Sequence, residues 1–226
     1  MTAAPTVFVV DDDAAVRKSL RWLIESVSLQ VETFGTAQEF LEASDPKRPG
    51  CLVLDVRLPG LSGLEVQEQL ASRGVRLPTI VITGHGDVPM AVRAFKAGAI
   101  DFIEKPFSDQ QLLDRIQQAI RQDGEARSQR LRHDEVAARV ARLTPRERDV
   151  LERVVAGKSN KVMASELKVS AKTIETVRAR LMRKMGAESV AELVRMTVLL
   201  SPPAVPWTAA APARALGEER NGLAGE

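Results

Sequence analysis

The sequence has little cysteine and no long apolar run. Its 226 residues include one cysteine, Cys51, which excludes an intramolecular disulfide and is typical of proteins from a reducing compartment. No stretch of about 18 apolar residues is present, so the sequence predicts no membrane span. The first residues lack a basic segment followed by an apolar one, so we expect no signal peptide and a cytoplasmic location.

The chain as a whole also carries little net charge, but its two halves carry net charges of opposite sign. The total is +2, yet residues 1–120 hold 12 Lys and Arg against 16 Asp and Glu, a net charge of −4. Residues 143–200 hold 12 basic against 7 acidic side chains, a net charge of +5. An acidic half joined to a basic half indicates two tasks, with nucleic acid as a candidate partner of the basic half.

The first 120 residues alternate between short apolar runs and segments with helical spacing. The runs are VFVV (7–10), QVETF (30–34), CLVL (51–54), TIVI (79–82) and IDFI (100–103). Runs that are apolar throughout and alternate with helices are typical of a parallel sheet that is covered on both faces. We therefore predict a doubly wound α/β domain with a five-stranded parallel sheet, and for the argument that follows we assume the strand order 2-1-3-4-5.

Chemically complementary side chains stand at the ends of these predicted strands. They are Asp11 and Asp12 after the first strand, Asp55 at the end of the third, Thr83 at the end of the fourth and Lys105 after the fifth. In a sheet of this order the carboxyl ends lie at one crevice, so we expect these groups to converge. Clustered carboxylates need a cation, and oxygen ligands suit Mg²⁺. A carboxylate can also act as a nucleophile, and Asp55 is our candidate for an aspartyl-phosphate.

Simpler interpretations of single residues were weighed. An Asp at a strand end often caps the next helix, and we expect this of Asp13. His85 is expected in a loop and Cys51 in the core. The pair Asp11-x-Asp13 resembles the D-x-D motif of haloacid-dehalogenase-type phosphatases, but Ala15 and Ala91 stand where that family carries Thr or Val and a second acidic residue. We therefore do not favour a phosphatase.

Residues 5–120 resemble the receiver domain of bacterial two-component response regulators. The resemblance rests on VVDDD, LDVRLPGLSGLEV and IVITGHGDVPMAVRAFKAGAIDFIEKPF, in that order. It implies a flavodoxin- or CheY-like fold with Mg²⁺ bound by Asp11, Asp12, Asp55 and the backbone carbonyl of Arg57. It further implies that Asp55 is the phosphoacceptor, Lys105 the phosphate partner, Thr83 the switch hydroxyl and Phe102 the aromatic switch, with a cis bond between Lys105 and Pro106.

The remainder of the chain has helical patterns only. Residues 121–142 are polar and predict a helical linker with Gly124 as a candidate break; a flexible tether is the alternative. TPRE (144–147) is a capping box with Thr144 at the cap, and Gly157 would end that helix. Further helices are predicted over about 160–167, 171–185 after the cap Ser170, and from Ser189 to Leu200. We expect the tail, residues 201–226, to be disordered because it is rich in Ala, Pro and Gly.

The helix at 171–185 has an apolar stripe formed by Ile174, Val177, Leu181 and Met185 and a polar, cationic face opposite. A short helix, a tight turn and such a helix are typical of a helix-turn-helix. A four-helix bundle with a merely solvated charged face is the alternative.

Residues 143–200 resemble the four-helix LuxR/FixJ/NarL-type DNA-binding domain along LTPRERDVLERVVAGKSNKVMASELKVSAKTIETVRARLMRKMG. The resemblance implies DNA contacts by Lys161, Lys172, Thr173, Glu175, Thr176, Arg178, Ala179, Arg183 and Lys184. Of these, Glu175, Thr176 and Ala179 would face bases, whereas Lys161, Lys172, Arg178 and Lys184 would contact phosphates or the groove. Val177 departs from the His that many members carry.

Together the two resemblances identify a FixJ-type response regulator, not an enzyme, with a receiver at 1–120, a linker at 121–142 and a DNA-binding domain at 143–200. They imply a sensor histidine kinase that phosphorylates Asp55, a homodimer in the phosphorylated state, promoter DNA and RNA polymerase as partners, and no membrane. An output domain that binds RNA or another protein stays an alternative, which a footprint on duplex DNA would distinguish.

Overall fold

The computed structural model describes residues 4–84 and 86–200, so His85 and the tail that was predicted to be disordered (201–226) lie outside the described residues. The chain divides into two compact units, one ending at Leu131 and the other beginning at Arg132. We call them the sheet unit and the helical unit. Within the described residues, no helix has the combination of length and apolar character that crossing a membrane would require.

The sheet unit contains the predicted five-stranded parallel sheet. The strands are β1 (Thr6–Val10), β2 (Gln30–Phe34), β3 (Gly50–Asp55), β4 (Thr79–Thr83) and β5 (Ala99–Glu104). Every neighbouring pair is parallel, which confirms the predicted parallel sheet, and the order is β2-β1-β3-β4-β5, as was assumed. All residues of β1, β3 and β4 are buried, as expected for central strands that are covered on both faces.

Helices cover both faces of this sheet. They are α1 (Ala14–Ser26), α2 (Ala37–Ala43), α3 (Gly63–Ser72), α4 (Val88–Lys96) and α5 (Asp109–Ala141). Successive residues of β1 point to opposite faces, so Val7 and Val9 pack with α1 and α5, whereas Phe8 and Val10 pack with α2 and α3. Cys51 is fully buried in the first of these cores, as predicted, and burial raises the pKa of its thiol to about 12.

A buried clasp holds α5 against the start of β3. Asp123 on α5 is 2% exposed, and its Oδ2 accepts a hydrogen bond of 2.9 Å from the Gly50 amide. Arg127, one helical turn later, donates to the same oxygen at 2.7 Å and to the carbonyl oxygen of Pro46 at 2.9 Å. Gly50 adopts φ +147°, and a Cβ there would lie 1.8 Å from the carbonyl oxygen of Thr6, so this position accepts only glycine.

The clasp explains why α5 is continuous. The helix passes through Gly124, where the sequence suggested a break. A glycine inside a helix costs about 1 kcal/mol relative to alanine. The charge-assisted hydrogen bonds of Asp123 and Arg127 outweigh this cost, because each of them contributes more than an ordinary hydrogen bond. Residues 121–131 are therefore part of the sheet unit.

The helical unit comprises the end of α5 from Arg132 and four further helices. These are α6 (Pro145–Val155), α7 (Asn160–Glu166), α8 (Ala171–Met185) and α9 (Val190–Leu200). Thr144 and Glu147 form the predicted capping box, and Ser170 caps α8 as expected. Ile174, Leu181 and Met185 of the predicted apolar stripe are fully buried, and the fourth member, Val177, packs against the same core.

We predict that Asp123→Ala lowers the free energy of unfolding of the sheet unit by about 2–3 kcal/mol. The substitution leaves the buried Gly50 amide without an acceptor and Arg127 without its carboxylate. Urea unfolding should be followed by the fluorescence of Trp22, which lies on α1, in a Trp207→Phe background. The control is Asp134→Ala on the same helix, where the side chain is 78% exposed and the change should stay within about 0.5 kcal/mol. Equal stability of the two variants would contradict the clasp.

Candidate functional site

The carboxyl edge of the sheet brings together residues that are far apart in the chain. Val10 of β1 pairs with Leu54 of β3, so the residues that follow them, Asp11 and Asp55, are neighbours at the edge. On the other side, the amide of Lys105 donates to the carbonyl oxygen of Thr83 at 2.7 Å, which places the end of β5 beside the end of β4. The site therefore follows from strand order and register.

Three carboxylates form a cluster at this edge. One oxygen each of Asp11, Asp12 and Asp55 lies within 4.8 Å of the others, as the sequence predicts. Lys105 reaches into the cluster, and its Nζ lies 2.7 Å from Oδ2 of Asp11 and 2.7 Å from Oδ2 of Asp55. Asp11 is 1% exposed, so most of its hydration is lost and the ammonium replaces it.

Burial and hydrogen bonds act in opposite directions on the pKa values of Asp11 and Lys105. Burial raises the pKa of the Asp11 carboxyl above its ordinary value, although hydrogen bonds from Lys105 and from the Asp13 amide act in the opposite direction. Burial also opposes the charge of Lys105, but hydrogen bonds to Asp11 and Asp55 more than compensate, and the pKa of its ammonium is raised. The ammonium is therefore a stable positive charge between two carboxylates.

Backbone amides orient the two inner carboxylates. The Asp13 amide donates to Oδ1 of Asp11 at 2.9 Å, and the Arg57 amide donates to Oδ1 of Asp55 at 2.9 Å. The start of α3 approaches this loop closely, since a Cβ on Gly63 would lie 2.4 Å from the carbonyl oxygen of Asp55. The side chain of Asp13 accepts from the Ala15 amide at 2.7 Å and caps α1, as predicted. Because this carboxylate is bound to the helix, the D-x-D interpretation gains no support.

The donor set fits a divalent magnesium ion. Three carboxylates in one cluster supply hard oxygen ligands, and the carboxylate of Asp12 is exposed and leaves room for water. A single ammonium balances only one of the three negative charges, so a further cation is electrostatically favoured there. The site therefore has the charge and the ligand type that suit Mg²⁺.

The two predicted switch residues lie on the neighbouring strands β4 and β5. Thr83 is the last residue of β4 and is fully buried. Phe102 lies on β5, is half-buried, and packs against the small cluster that contains Val81 and Ala94 of α4. Its ring lies so near Gly86 that a Cβ at that glycine would be 3.0 Å from the ring. The fifth strand prediction is confirmed, and so is the cis peptide bond between Lys105 and Pro106.

In the helical unit, α7, a tight turn and α8 form a helix-turn-helix. The turn passes through Lys168, which has φ +53°, and the Val169 amide donates to the carbonyl oxygen of Ala164 at 3.0 Å. Six of the predicted DNA contacts lie on the exposed face of α8: Lys172, Thr173, Glu175, Thr176, Ala179 and Arg183. Lys161 is exposed on α7. The exposed residues of α8 form a polar surface opposite its buried stripe.

Two predicted contacts have partners within the protein. Lys184 Nζ lies 2.7 Å from Oε2 of Glu147, and this hydrogen bond lowers the pKa of the Glu147 carboxyl. Arg178 is half-buried and donates to Oδ1 of Asn160 at 3.0 Å, which ties α8 to the first residue of α7. Sequence analysis did not identify Asn160 or the Lys184–Glu147 pair, because their members lie 18 and 37 positions apart in the chain.

One further residue at the acidic site was missed. Arg17 on α1 donates from Nη1 to the carbonyl oxygens of Asp11 and Asp12 at 2.7 and 2.9 Å. The sequence does place a cation one turn after the acidic run, but nothing in its spacing shows that it bonds to the main chain.

Comparisons with known proteins identify the families to which the two units are similar. Residues 7–117 match the family described as the response regulator receiver domain, and residues 141–197 match the bacterial regulatory proteins of the luxR family. The chain is 47% identical over 198 residues to the transcriptional regulatory protein FixJ of Bradyrhizobium diazoefficiens, a similarity that covers 88% of this chain and 97% of FixJ.

Solved structures show the same similarity. The response regulator StyR is 46% identical, with a TM-score of 0.79 over 87% of this chain and 99% of StyR. Full-length FixJ from B. japonicum is 46% identical, with a TM-score of 0.55 over 88% of this chain and 98% of FixJ. The two family matches and these identities confirm the receiver domain, the LuxR-type helix-turn-helix domain and their order along the chain. This chain belongs to the FixJ-like response regulators, in which a receiver domain precedes a LuxR-type DNA-binding domain.

Proposed function

We propose that Asp55 is the phosphoacceptor of this response regulator and that a sensor histidine kinase is the donor. The observation that supports this role most directly is the contact between the Asp55 carboxylate and the Lys105 ammonium at 2.7 Å. Asp55 ends a central strand at the crevice, and its second oxygen is oriented by the Arg57 amide. Phosphoryl transfer depends chiefly on such positioning and on neutralisation of charge, which Lys105 provides.

Mg²⁺ is the proposed cofactor. Asp11, Asp12, Asp55 and the backbone carbonyl of Arg57 would hold it, and when bound it would neutralise negative charge on the transferred phosphoryl group. The residues of the chain do the rest: Lys105 holds Asp11 and Asp55 together, and the Asp13 and Arg57 amides fix the direction of their carboxylates. Only phosphoryl transfer to Asp55 and hydrolysis of the resulting aspartyl-phosphate, which releases inorganic phosphate, are proposed as reactions of this chain.

Thr83 and Phe102 are the proposed switch. Thr83 lies at the end of the strand next to β3 and would donate its hydroxyl to a phosphoryl group on Asp55. Phe102 is half-buried, so an inward movement of its ring would repack α4 and β5. A local change in charge would thereby reach the surface through packing.

That surface is the proposed site of dimerisation in the phosphorylated state. Apolar side chains are exposed along α4 and β5, namely Val88, Val92, Phe95 and Ile100. An exposed apolar patch of this kind favours a protein partner. A second copy of the chain is the partner that we propose, because two DNA-binding domains could then contact two half-sites.

Promoter DNA is the proposed ligand of the helical unit. We place α8 in the major groove, where Glu175, Thr176 and Ala179 would face base edges. The cationic residues Lys161, Lys172 and Arg183 are exposed and would contact phosphates, with Thr173 beside them. Arg178 and Lys184 stay proposed contacts, although each also has a partner within the protein.

The proposed domain limits follow from these tasks. We assign residues 1–120 to the receiver and 143–200 to the DNA-binding domain. Residues 121–142 are the proposed linker. As far as Ala141 they belong to α5, in which Asp123 and Arg127 bond within the sheet unit and Val136 packs in the helical unit. RNA polymerase is the proposed partner through which binding would change transcription, and we place the protein in the cytoplasm, where promoter DNA is found.

We predict that Asp55→Asn abolishes labelling by acetyl phosphate in the presence of Mg²⁺, because an amide cannot form the acyl phosphate. Labelling is measured on a gel that retards phosphoproteins. EDTA should abolish labelling of the unmodified chain because it removes Mg²⁺. The control is Asp13→Asn, which should label normally since Asn caps a helix as well as Asp does. Undiminished labelling of Asp55→Asn would move the acceptor to another residue.

We predict that Arg178→Ala weakens promoter binding roughly tenfold and lowers the slope of log K against log salt by about 1, as loss of one phosphate contact requires. Fluorescence anisotropy on a promoter fragment at several salt concentrations measures both quantities. Arg195→Ala is the control, since Arg195 is exposed on α9 and outside the proposed surface. An unchanged slope with weaker binding would instead assign Arg178 to holding Asn160 and α7.

A further inference from the structure

Arg17 spans the two peptide groups that follow β1. It lies in the first turn of α1 and is half-buried. A single nitrogen, Nη1, donates to the carbonyl oxygen of Asp11 at 2.7 Å and to that of Asp12 at 2.9 Å. Both are short, charge-assisted hydrogen bonds. They restrain the backbone of two successive residues whose carboxylates belong to the acidic cluster.

The three carboxylates of the cluster differ in how they are oriented. Asp11 is held by Lys105 and by the Asp13 amide, and Asp55 is held by Lys105 and by the Arg57 amide. In residues 4–84 and 86–200, the structure shows no hydrogen bond or ion pair to the carboxylate of Asp12. Its direction therefore depends on the backbone that carries it, and the carbonyl of that same residue is bound by Arg17.

We infer that Arg17 is a positioning residue for the divalent cation, which it serves by holding the Asp12 backbone so that the carboxylate points into the cluster. The inference rests on the proposed function, in which Asp12 is a ligand of Mg²⁺. Arg17 touches neither the ion nor the phosphoryl group and is not a catalytic residue. Residues that orient metal ligands in this way typically change metal affinity by about 10–100-fold when they are replaced.

The charge of Arg17 and its hydrogen bonds have opposite effects on the affinity for Mg²⁺. A guanidinium repels a nearby divalent cation, so removal of its charge alone would strengthen Mg²⁺ binding. Removal of the hydrogen bonds would free Asp12 and weaken Mg²⁺ binding. The sign of the change therefore separates positioning from electrostatics. Arg17→Met removes both charge and donors, whereas Arg17→Lys keeps the charge and loses the guanidinium.

The test measures Mg²⁺ binding to the full chain by isothermal titration calorimetry. We expect Arg17→Met to raise the dissociation constant for Mg²⁺ roughly tenfold and Arg17→Lys to have an intermediate effect. The control is Arg21→Met, which removes a cation from the next turn of α1, where the guanidinium donates to Oγ1 of Thr33 at 2.7 Å. We expect this variant to bind Mg²⁺ as the unmodified chain does. Unchanged or tighter binding by both Arg17 variants overturns the inference.

A double-mutant cycle tests whether Arg17 acts through Asp12. In an Asp12→Asn background, Arg17→Met should have little further effect on Mg²⁺ affinity, because the ligand that it positions is already impaired. A full tenfold loss in that background would contradict the role of Asp12. Circular dichroism shows whether Arg17→Met melts at a much lower temperature than the unmodified chain. In that case the inference is tested only by comparing the Mg²⁺ affinity of Arg17→Lys with that of Arg21→Met. Equal Mg²⁺ affinities of these two variants would overturn the inference.

Labelling kinetics give a second readout. With acetyl phosphate as donor, Arg17→Met should need roughly tenfold more Mg²⁺ for half-maximal labelling, while the rate at saturating Mg²⁺ stays within about twofold. A lower saturating rate with an unchanged Mg²⁺ requirement would overturn the inference by assigning Arg17 to the chemical step. Failure of the proposed function has a different signature, since the unmodified chain would then neither bind Mg²⁺ nor be labelled at Asp55.

Discussion

The fold places carboxylates that repel one another side by side, and the acidic site depends on the groups that offset this repulsion. Asp11 and Asp55 stand at the ends of adjacent parallel strands, and both contact one ammonium, that of Lys105, at 2.7 Å. The repulsion is tolerable because Lys105 supplies one positive charge and backbone amides supply partial ones. The cluster nevertheless keeps an excess of negative charge, which is a physical reason for it to bind a divalent ion and to respond to the arrival of a phosphoryl group.

Strand β3 links this site to the clasp at the opposite edge of the sheet. The strand ends at Asp55 and begins at Gly50, whose amide donates to the buried carboxylate of Asp123 on α5. Neither end can shift freely, since Gly50 meets the backbone of Thr6 and Gly63 meets the backbone of Asp55. The proposed acceptor carboxylate, that of Asp55, thus stands at the end of a buried and closely packed strand, which is the kind of support that positioning for phosphoryl transfer requires.

The helical unit combines two kinds of charged residue on one helix. Side chains such as Lys172 and Arg183 extend from α8 into solvent, whereas Lys184 is bonded to Glu147 and Arg178 to Asn160. The bonds of Lys184 and Arg178 hold α8 against α6 and α7. They thereby set the direction in which the exposed side chains of α8 point. A cationic helix therefore carries residues that build the surface as well as residues that would contact DNA.

The sequence by itself determined the parallel sheet and the helix caps, because these follow from local periodicity and residue type. The acidic cluster follows from the sequence once the strand order is assumed, because the carboxyl ends of adjacent parallel strands meet at one edge. Family resemblance extended this to the helix-turn-helix and the cis bond before Pro106. Only the tertiary structure decided the partners of Arg17, Asp123, Arg178 and Lys184. Their bonds join residues that share no periodic pattern, and the direction of a long side chain depends on neighbours that folding alone brings near.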